Sequence, residues 1–101
     1  MNVRGMGILE DFWRVHRDAA GPLNAWWNVV AAADWKSFVN CRATFASADQ
    51  VKIAQAVVTL FNIKGNHYRL VAAVNYSLGL VVVRHVMTHK EYSEDRWKER
   101  L

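Results

Sequence analysis

The sequence has little cysteine and no long apolar run, and each shortage excludes a class of protein. Its one cysteine, Cys41, excludes an internal disulfide and a zinc site built from cysteines. No apolar run approaches the roughly 18 residues that a membrane-spanning helix needs. The N-terminal stretch MNVRGMGILEDFW lacks a secretory pattern, because acidic residues interrupt its apolar part. We therefore expect a cytoplasmic protein with no membrane partner.

What the chain does contain is enough apolar material for one compact domain, residues 1–101. Hydrophobic residues make up 52% of the sequence and there are five tryptophans, which predicts a well-filled core. The formal net charge of +4 is compatible with an RNA, a DNA or an acidic protein partner, but it does not choose among them.

The first half of the chain has the periodicity of two amphipathic helices. Large residues recur on one face of the first helix and on one face of the second, at Leu9, Phe12, Trp13, His16 and Ala20 and then at Leu23, Trp26, Trp27, Val30 and Ala33. Between them, Gly21 can end the first helix and Pro22 can open the next. The pattern predicts a helical hairpin.

The second half is rich in β-branched residues and predicts three strands. The segments VVTLFNI, HYRLVAAVNY and LVVVRHVMT are separated by the turns KGN and SLG, which favours an antiparallel meander. The N-terminal NVRGMG can add an edge strand. The predicted fold class is α+β, with the helical hairpin covering one face of the sheet.

The segment between the two halves is ambiguous. Ser47 and Gln50 have the spacing of a capping box, which would start a short helix. An ordered loop fits the same residues.

A second capping box is predicted where the last strand ends. Thr88 and Glu91 have the T-x-x-E spacing, so KEYSEDRWKER is predicted to be a C-terminal helix with acids early and bases late. The start of such a helix offers free amides to a phosphate, beside His89, Lys90 and Tyr92.

A metal site is not expected in the same region. His85 and His89 are four residues apart, but on a strand this spacing separates their side chains by about 13 Å. One ion cannot be bound by both histidines at that separation.

Arg69 is the most unusual residue inside the predicted strands. An arginine in a central strand needs a partner or must face a groove. It can form a structural ion pair with an acidic residue, or its guanidinium can bind a phosphodiester with two parallel hydrogen bonds.

Taken together, these segments resemble a known family. LEDFWRVHRDAAGPLNAWWNVVAAADWKSF, FASADQV, LFNIKGNHYRLVAAVNY and THKEY, in this order, resemble the HigB family of toxins, which are RelE-like messenger-RNA interferases of type II toxin–antitoxin systems. The resemblance covers residues 8–92. One departure is Ser93, where the family pattern has an aspartate after the final tyrosine.

The resemblance implies both a fold and an activity. The fold would be RelE-like, with an N-terminal strand and a helical hairpin packed on an antiparallel β-meander, and a C-terminal helical segment completing the site. The activity would be cleavage of messenger RNA during translation on the ribosome. A HigA-like helix-turn-helix antitoxin would neutralise the toxin.

Cleavage of RNA without a metal or another cofactor uses the substrate's own 2′-hydroxyl as the nucleophile. His89 is the candidate acid or base, because its ordinary pKa near 6.5 suits either role. Arg69 would stabilise the phosphorane, and Tyr92 would stack on a base or orient the scissile nucleotide. The residues expected to contact RNA are basic or polar and lie near these three: Lys64, Asn66, His67, Arg84 and Lys90.

A different class of function fits the same residues. The domain can bind RNA, the ribosome or a protein without cutting, as a degenerate toxin would. Growth arrest with discrete cuts in messages distinguishes the nuclease from such a binding module.

Overall fold

A computed structural model describes residues 1–100 as an α+β fold with helices packed on a five-stranded mixed sheet. The strands are β1 (Asn2–Arg4), β2 (Asp49–Ile53), β3 (Ala56–Ile63), β4 (Tyr68–Asn75) and β5 (Leu80–Thr88). The helices are α1 (Met6–Val15), α2 (Ala20–Ala32), α3 (Phe38–Thr44) and α4 (His89–Ser93), with 3₁₀ segments at Arg17–Ala19 and Arg96–Arg100. No helix within residues 1–100 has the length and apolar character needed to cross a membrane.

The helical hairpin is confirmed, but the joint between its helices lies earlier than predicted. Helix α1 ends at Val15, and a 3₁₀ turn leads into α2, which begins at Ala20. Pro22 is therefore the third residue of α2 and does not open it. The position tolerates proline because N–H groups of the first helical turn have no partner within the helix.

Both interpretations considered for the segment that begins at Ser47, a capped short helix and an ordered loop, are wrong for residues 49–53. Helix α3 lies before this segment, and Asp49 already begins β2. The backbone of β2 is hydrogen-bonded to β3, with Val51 opposite Val58. Pairing of a whole strand satisfies more backbone groups than one short cap, so the tertiary context overrides the local signal.

The meander therefore has four antiparallel strands, and β1 completes the sheet in the order β1-β5-β4-β3-β2. The predicted edge position of β1 is confirmed, and its pairing with β5 is parallel. The KGN turn is also confirmed, with positive φ at Lys64 and Gly65. Asn66 is not among the residues with positive φ, so the turn does not require an asparagine there for its backbone conformation.

Each face of the sheet carries its own apolar cluster. The larger one lies between the sheet and the helices and includes Leu9, Leu23, Trp26 and Phe61. Cys41 belongs to it as a fully buried small residue, and burial raises the pKa of its thiol to about 11, which keeps the thiol protonated at neutral pH.

The smaller cluster lies on the opposite face and depends on the C-terminal segment. Trp97 is 2% exposed there and packs with Val58, Leu60, Val71 and Met87. The predicted C-terminal helical segment is confirmed, but it is not one continuous helix, because α4 ends at Ser93 and Asp95 has a φ of +61°. This break is followed by the 3₁₀ segment that contains Trp97, and the Trp97 indole donates to the Tyr92 carbonyl over 3.1 Å.

A bulge in β5 changes which side chains of the strand lie on each face of the sheet. Val71 lies opposite His85 while the neighbouring Ala72 lies opposite Val83, so Arg84 is an extra, bulged residue. Val83 and Val86 consequently both face the larger cluster, and Met87 faces the smaller one.

Candidate active site

A groove of about 460 Å³ lies where the turn before β4 meets the start of α4. The two segments adjoin because Tyr68, the first residue of β4, is paired with Thr88, the last residue of β5. The His89 amide donates to the His67 carbonyl over 3.0 Å and joins them directly. The residues that line the groove come from both segments: Lys64, Gly65, Asn66, His67, Thr88, His89 and Lys90.

Arg69 lies next to this groove as a buried cation. Arg69 is 9% exposed. Among residues 1–100, no carboxylate lies within 4.0 Å of its guanidinium. The structural ion pair considered from the sequence is therefore wrong for these residues. The guanidinium instead donates to the Asn66 side-chain oxygen and to the carbonyls of Asn66 (3.3 Å) and Tyr68 (3.2 Å). Neutral acceptors orient the cation but leave its charge uncompensated, and low local dielectric strengthens its attraction for an anion.

The Tyr92 ring contacts both the Arg69 guanidinium and Trp97. The Arg69 guanidinium carbon lies 5.3 Å from the centroid of the Tyr92 ring, a cation–π distance. The same ring is stacked on Trp97, with centroids 5.6 Å apart and an interplanar angle of 20°. Trp97 thus connects the smaller apolar cluster to Arg69 through Tyr92.

His89 is the first residue of α4, and the predicted capping box at this helix is confirmed. The Glu91 amide donates to the Thr88 hydroxyl and the Thr88 amide donates to the Glu91 carboxylate, both over 3.1 Å. The amides of His89 and Glu91 are consequently occupied by protein acceptors. The phosphate site predicted at the free amides of this helix start therefore loses two of its donors.

Ser93, which departs from the aspartate expected from the resemblance, contacts the candidate histidine. Its hydroxyl donates to the His89 carbonyl over 2.9 Å and lies 3.4 Å from the His89 Nδ1. The serine therefore occupies a hydrogen-bonding position beside the imidazole, although it carries no charge.

Lys64 lines the groove with its backbone turn, but its ammonium is paired elsewhere. The Lys64 Nζ lies 2.6 Å from an Asp18 carboxylate oxygen, and the Tyr68 hydroxyl donates to the other oxygen over 2.5 Å. The bonds from Lys64 and Tyr68 lower the pKa of Asp18, and the bond to Asp18 raises the pKa of Tyr68. This cluster ties the turn to the segment that follows α1.

Of the other residues predicted to contact RNA, Lys90 lies at the groove and Arg84 does not. Arg84 is exposed at the bulge of β5, four residues before Thr88. On a strand this spacing corresponds to about 13 Å. Within residues 1–100, no group of three or more histidine, cysteine, aspartate or glutamate side chains could hold a metal ion.

A second cavity, of about 360 Å³, lies between α1 and β5 and contains the remaining strand histidine, His85. Burial lowers the pKa of His85, the nearby Arg100 lowers it further, and Glu91 opposes both. The neutral imidazole is thus favoured in the folded state.

This lowered pKa predicts a pH dependence of stability. A folded-state pKa below the unfolded value of about 6.5 means that protonation favours unfolding, so the contribution of His85 is complete above about pH 6.5 and is lost as pH falls through the folded pKa. We expect His85→Gln to lose less unfolding free energy than wild type between about pH 7 and pH 5 in urea titrations. Equal losses in both proteins would contradict the assignment. Asp18 does not interfere, because its lowered pKa acts only below about pH 4.

The sequence singled out Arg69, His89 and Tyr92 as candidates and Asn66 as an RNA contact, but it did not indicate that Asn66 binds Arg69 or that Trp97 stacks on Tyr92. The hydrogen bond from Arg69 to Asn66 is local, and the spacing N-x-x-R could have indicated it. Trp97 was a detectable signal, because an aromatic residue within SEDRWKER is unusual for a fully exposed helix.

Comparison with known proteins agrees with this architecture, which defines a class of small RelE-like domains. The model of the HigB_toxin family, described as the RelE-like toxic component of a toxin-antitoxin system, matches residues 19–95. The chain therefore belongs to the HigB toxin family. The matched range contains Arg69, His89 and Tyr92, whereas Asp18 and Trp97 lie outside it.

Individual relatives are similar over a shorter range. The chain is 37% identical over 65 residues to the "mRNA interferase toxin HigB" of Escherichia coli K12, which is 64% of this chain and 62% of the relative. The proteins named "mRNA interferase HigB" from Escherichia coli O157:H7 and Shigella flexneri match with the same identity and coverage. The match thus spans less than two thirds of the length of these relatives.

Proposed function

We propose that this chain is a toxin that cleaves messenger RNA by metal-independent attack of the substrate's 2′-hydroxyl. The observation that carries the proposal is the buried Arg69 guanidinium, which has neutral hydrogen-bond acceptors and lies beside a groove lined by His67 and His89. In our proposal this charge attracts the phosphate of a bound RNA. Family membership and the name mRNA interferase of the relatives support messenger RNA as the substrate.

The reaction needs a proton acceptor at the 2′-oxygen, stabilisation of the phosphorane and a proton donor to the leaving 5′-oxygen. In our proposal His89 transfers a proton, and Arg69 stabilises the charge that develops on the phosphorane. Lys90 adds positive charge at the groove. The products are a 2′,3′-cyclic phosphate and a free 5′-hydroxyl.

The contacts favour positioning roles for two of the predicted residues. Tyr92 contacts Arg69 and Trp97, so it orients the guanidinium in addition to any contact with a base. The side-chain oxygen of Asn66 accepts a hydrogen bond from Arg69, so its role in the proposal is to orient the guanidinium rather than to contact RNA. For Lys64, the pairing with Asp18 makes a contact with RNA conditional on breaking an ion pair.

Membership of a toxin–antitoxin family supports a proposal for the cellular setting. We propose that the substrate is messenger RNA on the ribosome, that the protein acts in the cytoplasm and that a HigA-like helix-turn-helix antitoxin inhibits it. The reaction as proposed requires no cofactor.

The test is induction of the chain in a bacterial host that lacks its antitoxin, followed by mapping of the 5′ ends of cellular RNA. We expect growth arrest and discrete cuts in messages that leave 5′-hydroxyl ends. The purified protein should cut RNA, alone or on programmed ribosomes. In the RNA-alone assay, cleavage should persist with a chelator present.

The control carries both Arg69→Ala and His89→Ala and should produce neither growth arrest nor cuts. Arrest without cuts by the wild-type chain would instead favour binding without catalysis. Cuts that require a divalent ion in the RNA-alone assay would contradict the metal-independent mechanism.

A further inference from the structure

We propose that His67 is a second proton-transfer group of the groove and that it acts with His89 as an acid–base pair. This inference rests on the proposed RNA cleavage and deepens it. It gives His67 a role in the chemistry, where the sequence suggested only a contact with the RNA backbone.

The first supporting observation is the contact of the His67 ring with a backbone carbonyl. The His67 Nδ1 lies 2.9 Å from the Lys64 carbonyl oxygen. A carbonyl oxygen can only accept a hydrogen bond, so Nδ1 carries a proton. The neutral ring then has its lone pair on Nε2, and a histidine held in this way by a backbone carbonyl is oriented for proton transfer. The His67 amide also donates to the same carbonyl over 3.2 Å, which fixes the backbone that carries the ring.

The second observation is the direct link between the two histidines. The His67 carbonyl accepts from the His89 amide over 3.0 Å, and both residues line the one groove with exposed side chains. The two imidazoles are therefore carried by backbone segments that cannot separate without breaking this bond.

The surroundings of His89 favour the same tautomer. The Ser93 hydroxyl uses its only proton in the bond to the His89 carbonyl. Its oxygen can therefore only accept from Nδ1, which lies 3.4 Å away. Both rings thus present Nε2 for exchange of a proton with substrate.

A pair of imidazoles satisfies the proton balance of the reaction. One neutral ring takes the proton of the 2′-hydroxyl as the bond from O2′ to phosphorus forms. The other ring, protonated, gives its proton to O5′ as the bond from phosphorus to O5′ breaks. Exchange with water restores both rings, and no further reactant is needed.

The charges around the pair suit this division. Lys64 and Arg69 come from the hairpin side, and Lys90 and Glu91 come from α4. Lys64 is paired with Asp18, so Arg69 and Lys90 remain to attract the phosphate. Glu91 accepts from the neutral Thr88 amide and keeps its negative charge at the start of α4.

The test compares His67→Ala and His89→Ala with wild type on two matched RNAs under single-turnover conditions, on ribosomes if free RNA is not cut. One RNA has the ordinary 5′-oxygen at the cleavage site, and the other has sulfur in its place. On ordinary RNA we expect His67→Ala to lower the maximal rate by about 10²-fold or more, with a smaller change in KM and loss of one limb of the pH–rate profile. His67→Gln and thermal melting control for folding, and His85→Gln is the matched histidine control outside the groove.

The sulfur-containing RNA identifies the acid, because a thiolate leaves without receiving a proton. We expect one of the two alanine variants to regain much of the wild-type rate on this RNA and the other to remain slow. A higher KM with an unchanged maximal rate for His67→Ala would overturn the proposal and leave a phosphate contact. The proposal would also be overturned if neither alanine variant, or both of them, regained the wild-type cleavage rate on the sulfur-containing RNA. If wild type cuts neither RNA, the proposed nuclease function itself fails; if wild type and His67→Ala cut equally well, only this inference fails.

Discussion

Replacing His89 by alanine is expected to lower the rate of message cleavage by about 10²- to 10⁴-fold, the usual range for a lost general acid or base. The imidazole lines the groove beside Lys90, and its tautomer is favoured by Ser93. The substitution keeps the backbone amide that donates to His67 and leaves the capping box of Thr88 and Glu91 intact. The loss should therefore appear in single-turnover rates without a comparable loss of stability.

Thr88→Ala is the matched control for this experiment. It removes the cap and should lower the unfolding free energy by about 1 kcal/mol, but it leaves the imidazole in place. Cleavage by Thr88→Ala should therefore exceed cleavage by His89→Ala. A folded His89→Ala protein that cuts at the wild-type rate would show that His89 moves no proton.

Arg69→Ala is expected to lower the cleavage rate by about 10²- to 10³-fold, roughly 3 kcal/mol, by analogy with the loss of one oxyanion donor. Arg69→Lys should restore little, because an ammonium lacks the planar fork that binds two phosphate oxygens and meets Asn66. Single-turnover rates on one RNA measure both variants, and thermal melting monitors folding. A lysine variant close to wild type would indicate a simple charge role.

Asn66→Asp is the sharpest control for the charge of Arg69. It replaces a neutral acceptor by a carboxylate at a position already bonded to the guanidinium. Arg69 should stay in place while its charge is compensated, so cleavage should fall although folding is preserved. An unchanged rate would show that the free charge of Arg69 is not what the reaction uses.

The parts of the fold that the sequence predicted are those coded by local patterns. The Thr88 capping box involves residues three apart, and the meander follows from β-branched runs and a Lys-Gly turn. The Ser47 pattern had the same local form but was wrong, because β2 pairs with β3 over five residue pairs. A local sequence pattern determines the secondary structure of its segment only where no tertiary strand pairing competes with it.

The candidate site divides in the same way. Arg69 could be singled out because a charge inside an apolar strand is costly. The stacking of Trp97 on Tyr92, which contacts Arg69, could not be predicted, since the position of Trp97 depends on the break at Asp95. The pairing of Lys64 with Asp18 joins residues 46 positions apart, and no local pattern reports such a contact.

Because of the bulge at Arg84, β5 contains one more residue than the stretch of β4 with which it pairs. Removing that residue would leave Val83 opposite Ala72 and His85 opposite Val71 in an uninterrupted ladder, so both apolar clusters and the approach to His89 would keep their faces. Removing Val86 instead would move every side chain on one side of the deletion to the opposite face of the sheet, because side chains along a strand alternate between the two faces. The strand that leads to the groove therefore tolerates a change in chain length at residue 84 and resists it two residues later.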